Sequence, residues 1–105
     1  MSKLPSSYSA FRDTHPEVMA AYETLSKAAR HAGPLPRGQA ELVKLALAAG
    51  ARLEGAVHSH TRRALDGGVE PDAIRHVALL ALTTLGFPQA MAVRSWIEDQ
   101  LSKPR

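Results

Sequence analysis

The sequence predicts an all-α fold, a single-domain bundle of about five helices, and three observations predict it. Apolar residues make up 45% of the chain and recur at helical spacing rather than in alternation. Ala and Leu are plentiful while aromatics are only 5%, a mixture that suits closely packed helices better than stacked sheets. Glycines and prolines fall between the periodic stretches, where helices stop and start. A chain of 105 residues is long enough to bury one modest core.

Residues 1–13 are polar, carry Pro5 and a serine cluster, and read as a flexible arm that Tyr8 and Phe11 could anchor. The helical domain is expected over 14–102. Its first helix opens at Pro16, whose missing N–H costs nothing in the first turn, with Asp13 and Thr14 as candidate caps. Val18, Ala21, Tyr22, Leu25 and Ala29 form its apolar stripe, and Gly33, Pro34 and Pro36 stop it.

The second helix covers about Arg37 to Ala49. Leu42, Leu45, Ala46 and Ala49 face one way, Val43 and Leu47 widen the stripe, and Gly50 is the expected terminus. The third runs from about Arg52 to Asp66, ending at Gly67 and Gly68. The fourth starts at Glu70, Pro71 and Asp72, with acids at the positive end of its dipole, and Gly86 ends it. Its VALLAL run (77–82) is apolar all round, as in a helix enclosed by others or by a second subunit. The last begins at Pro88 and turns Ala90, Val93, Ile97 and Leu101 inward, with Trp96 at the edge.

Several function classes fall away. There is no cysteine, so disulfides, thiolate metal sites and cysteine nucleophiles are excluded. The net charge of +3 is spread along the chain, and its densest group, Arg62 with Arg63, has no interleaved aromatics. No nucleic-acid partner is expected, since affinity needs several phosphate contacts from one face. The opening MSKLPSSYSAF lacks an apolar signal core, and no apolar run approaches the roughly 20 residues that span a bilayer. The expectation is a cytoplasmic protein without a membrane partner.

Chemistry concentrates in the third helix. At about 100° per residue, Leu53, Ala56, Val57, His60 and Ala64 share one face, which places His60 in the apolar stripe. His58 falls on the opposite side and should meet solvent beside Arg62. Glu41, early in the preceding antiparallel helix, can reach His60, and such a pair can act as a general acid and base. The plainer alternative is a structural histidine satisfied within the core. No metal is expected from His58-x-His60, because side chains two apart on a helix diverge. His15, His31 and His76 have no evident company, and Glu54 reads as a surface residue.

These residues also resemble a known family. Glu41 to Ala48 (ELVKLALA) is similar to the E-L-(I/V)-A-L-A-V helix of the carboxymuconolactone decarboxylase superfamily, which includes the alkylhydroperoxidase D-like proteins. Leu53 to Leu65 (LEGAVHSHTRRAL) is similar to its C-E-x-C-x-x-x-H-T-x-x-A-L signature, and Ile74 to Gly86, Phe87 and Pro88 to its E-I-x-E-V … G-(V/F)-P segment. In this order and spacing the three cover about residues 15–101.

The resemblance implies an alkylhydroperoxidase D-like helical fold, with Glu41 and His60 in the places of the family's catalytic Glu and His. The cysteine places are Leu53 and Ala56, so the thiol steps of the peroxidase branch have no nucleophile. The decarboxylase branch also lacks C-x-x-C and keeps the His. It implies acid/base chemistry on a small organic acid or lactone, with Leu53 and Ala56 lining the pocket and Arg63 or Arg62 as a carboxylate holder or a solvated surface group. It implies no cofactor, and a homo-trimer or homo-hexamer with sites near subunit interfaces. Beside this stands a degenerate alkylhydroperoxidase-like oligomer that binds a ligand or serves as a scaffold.

Overall fold

In a computed structural model of the chain, which describes residues 6–104, every regular element among those residues is a helix. In chain order these are α1 (Ser6–Thr14), α2 (Pro16–His31), α3 (Arg37–Gly50), α4 (Glu54–Asp66), α5 (Pro71–Ala81) and α6 (Phe87–Leu101). The five helices expected from sequence are α2 to α6. The additional α1 occupies most of the stretch read as an arm, residues 1–5 of which lie outside the described residues. The chain divides into two compact units, one ending at Leu35 and the other beginning at Pro36. The sequence puts its boundary at residues 13 and 14 instead.

In the first unit, α1 runs into α2 with only His15 between them. Thr14 does not cap α2: its hydroxyl donates to Ala10 O at 2.8 Å, within its own helix. His15 is the N-cap residue, without a side-chain capping bond, and its ring sits 5.2 Å from that of Phe11. The Tyr8 hydroxyl lies 3.5 Å from Glu23. The stripe expected to point inward is bare: Val18, Tyr22 and Leu25 are more than half exposed, and Met19 is the buried apolar residue of α2.

The second unit is a four-helix arrangement in which α3 packs on α4 and α5, and α6 closes the ring against both. Leu45, Ala48, Ala49, Val57, Ala64, Ile74, Ala78, Val93 and Ile97 form its core. Four of those nine are alanines, which let helix axes approach closely. On α3 the buried face is Glu41, Leu45, Ala48 and Ala49. It is rotated from the expected stripe, so Val43, Ala46 and Leu47 face out. The whole-face apolarity of α5 does not mean enclosure by this chain either, because Ile74, Ala78 and Ala81 are buried while Leu79 and Leu80 are 63% and 57% exposed.

The connections explain the boundaries. Gly50 is still helical, and α3 ends where Arg52 takes the left-handed conformation (φ 60°). The amides of Arg52 and Leu53 return to Ala49 O and Ala48 O at 3.2 and 3.0 Å, the bonding that closes a helix C-terminus. Gln89 of α6 supports this corner: its amide donates to Ala49 O at 2.8 Å, and its oxygen accepts from Arg52 Nε at 2.9 Å. Gly68 and Gly86 carry φ of 85° and 98° where α4 ends and α6 begins, conformations glycine adopts without a Cβ penalty.

Candidate functional site

Glu41 and His60 meet on facing sides of α3 and α4. Both helices are amphipathic, and the short corner at 51–53 folds them back antiparallel, so a residue early in α3 lies beside one late in α4. His60 Nδ1 is 3.3 Å from Glu41 Oε1. The Glu41 side chain is 2% exposed and that of His60 17%. Nδ1–H donating to Glu41 Oε1 leaves Nε2 as the acceptor nitrogen. Nε2 has no partner among the described residues and is not a sealed polar atom, so it keeps contact with solvent.

Burial is the largest influence on the imidazole and holds its pKa below the usual 6.5. Glu41 opposes this through its charge and its hydrogen bond, while the positive charges of Arg63 and Lys44 push the pKa further down. The result is a half-buried ring, fixed by a buried carboxyl group, that favours the neutral form at pH 7 with one nitrogen free. That arrangement can remove a proton from a bound molecule and return it.

Not every residue singled out in the sequence joins this pair. Val57 and Ala64 are buried as expected, and Ala56 is half-buried against the core. Leu53 is not on the inward face: it precedes α4 as the N-cap residue in extended conformation and is 53% exposed. Helical angles do not apply to a residue outside the helix. His58 is not solvated beside Arg62 either, since its Nε2 is 3.2 Å from Asp99 Oδ2 on α6. His58 and His60 thus tie α4 to different neighbours and cannot share a ligand. Lys44, which the sequence did not single out, lies near enough to His60 to act on it. Its place one turn after Glu41 is the signal that could have revealed it.

Thr61, next to His60, is fully buried, and its hydroxyl has no partner among the described residues. Two open grooves flank α5. One, of about 360 Å³, lies between α3 and α5 and is lined by Leu42, Val43, Ala46, Val77 and Leu80 among others. The other, of about 410 Å³, lies between α5 and α6. Neither is lined by Glu41 or His60.

The helical arrangement agrees with the comparison to known families. The model of the carboxymuconolactone decarboxylase family matches residues 16–99, and the chain belongs to that family. No curated protein and no solved structure matches it significantly. No helix among the described residues is long and apolar enough to cross a membrane.

Proposed function

We propose that this member of the family carries out non-thiol acid/base chemistry on a small organic acid or lactone, with His60 as the proton-transferring group and Glu41 as its orienting partner. The observation that carries the reading is the 3.3 Å Glu41–His60 contact, a buried carboxyl group holding a ring whose other nitrogen reaches solvent. Glu41 fixes the tautomer, Nε2 takes the substrate proton, and the resulting imidazolium is stabilised by Glu41 until it returns the proton. At 3.3 Å the hydrogen bond is long, and it shortens as the ring becomes charged. The absence of cysteine removes the nucleophile of the family's thiol peroxidase chemistry.

Screening small carboxylated lactones for turnover tests this. His60→Gln and Glu41→Gln should each lower kcat/KM roughly 100-fold or more, with the fold retained by circular dichroism. Turnover unchanged in both variants sinks the proposal. With an organic hydroperoxide and a dithiol, consumption should not exceed the blank.

A second reading is an oligomeric scaffold or ligand-binding protein in which the pair is structural. It draws support from the two α5 grooves, whose linings do not include Glu41 or His60. In that case His60→Leu lowers stability by leaving the buried Glu41 carboxyl group without its partner, and no substrate turnover is found. Under either reading the assembly is a homo-oligomer, a trimer or hexamer. Support comes from the bare Leu47, Leu79, Leu80 and Phe87, an apolar surface that burial against a second copy would remove from water.

A further inference from the structure

The Glu41–His60 pair has a charged border that the acid/base reading leaves unused. Lys44 lies one helical turn beyond Glu41 on α3, and Arg63 one turn beyond His60 on α4. Because the two helices run antiparallel, these side chains flank the pair from its two ends. Both are half-buried, and neither side chain has a hydrogen bond or ion pair among the described residues. Arg37, at the start of α3, adds a third guanidinium, lying close over Gly67 where α4 ends. Against these cations stand two carboxyl groups: Glu41, already occupied by His60, and Asp66, one turn beyond Arg63, whose charge acts on Arg62.

Lys44 and Arg63 are half-buried with no ion-pair partner among the described residues, and an anion placed between them would offset their positive charge. We propose that Lys44, together with Arg63, holds the anionic group of the ligand beside His60, and that Lys44 is the residue by which the site selects anions over neutral molecules of the same shape. This rests on the acid/base reading of the pair.

The arrangement has a consequence for the base. Arg63 and Lys44 oppose protonation of His60, on top of burial, and Glu41 favours it. An anion seated between the cations cancels their field and adds its own negative charge. His60 then becomes a stronger base when the ligand is in place than in its absence. An anionic substrate would in this way strengthen the group that takes its proton, and a neutral analogue would not.

The test uses the full chain with labelled histidine, following the His60 ring signals by NMR during titration with acetate and, separately, with acetamide as the neutral isostere. At a pH of about 8 and constant ionic strength, acetate should shift the His60 signals saturably. With acetate present, the His60 titration should move to higher pH. Acetamide should do neither. Lys44→Met should weaken acetate binding roughly fivefold, in keeping with a partly solvated charge pair, and Lys44→Arg should restore it. The amide spectrum of each variant checks that it is folded.

No acetate binding up to about 100 mM, equal effects of acetate and acetamide, or unchanged affinity in Lys44→Met would each overturn the proposal. The acid/base reading fails separately. If Glu41→Gln leaves the His60 titration unmoved while acetate still binds through Lys44, the pair is uncoupled and the anion site stands.

Discussion

Burial and charge pull on His60 in opposite directions, and burial prevails. Its titration midpoint should therefore fall below 6.5 by NMR. Glu41→Gln should lower it further, because a neighbour favouring protonation is gone; a midpoint that rises or stays put would contradict the geometry. The same shift makes stability depend on pH. The unfolded histidine binds its proton near 6.5, the folded one at lower pH. The contribution to stability is thus fully present above about 6.5 and is lost as pH falls from there through the folded midpoint. Denaturant midpoints between pH 7.5 and 5.5 check the sign, and His60→Gln should flatten that slope. Thr61 is a separate cost: its buried hydroxyl has no partner among the described residues. Thr61→Val keeps the shape and removes the unsatisfied group, so it should raise stability by about 1 kcal/mol, visible as a higher thermal midpoint. A lowered midpoint would mean that the hydroxyl has an unseen partner.

At the level of elements, the α3–α4 corner decides whether Glu41 faces His60 at all. Gly50 is the residue a sequence reader would choose as terminator, yet the left-handed position belongs to Arg52. A side chain in that conformation costs roughly 1 kcal/mol, partly offset by the Arg52–Gln89 hydrogen bond. Arg52→Gly should leave stability equal or improved, whereas Arg52→Val should cost more than 1 kcal/mol relative to it. Similar denaturation midpoints for the two variants would show that the corner is not under this constraint. α4 is held on both sides by histidine–carboxylate contacts, to α3 through Glu41 and to α6 through Asp99, at 3.3 and 3.2 Å. The i+2 spacing of His58 and His60 sends them in different directions. That divergence follows from helix geometry; the partner awaiting His58 depended on where α6 lies.

At the scale of the whole molecule, the exposed apolar surface calls for cover. Leu79 and Leu80 on α5, Val43 and Leu47 on α3 and Phe87 at the start of α6 are exposed, and a groove of about 360 Å³ runs between α3 and α5. Under the proposed homo-oligomer, sedimentation should give a mass well above the 11.3 kDa of one chain, and Leu80→Glu should reduce it by placing a charge in the groove. A wild type that sediments as a monomer at high concentration would refute the assembly. α2 belongs at the same scale. Its stripe of Val18, Tyr22 and Leu25 has helical periodicity and is nevertheless exposed. Amphipathicity states that a face needs cover, and it does not state what provides it.

Residue order alone was enough for the helical class, for five of the six helices, and for the pairing of Glu41 with His60. Periodicity, proline and glycine placement and antiparallel reversal are local properties of the chain. It was also enough to exclude thiol chemistry, because that depends only on which atoms are present. Tertiary structure decided the rest. It rotated the buried face of α3 toward Glu41 and Ala48, because α4 and α5 together determine which side is covered. It left Leu53 outside the helix, since the Arg52 corner consumes the residues before it. It joined His58 to Asp99, across a sequence separation that no spacing rule reads. Such contacts are set by how helices pack, and packing is a property of all the faces at once.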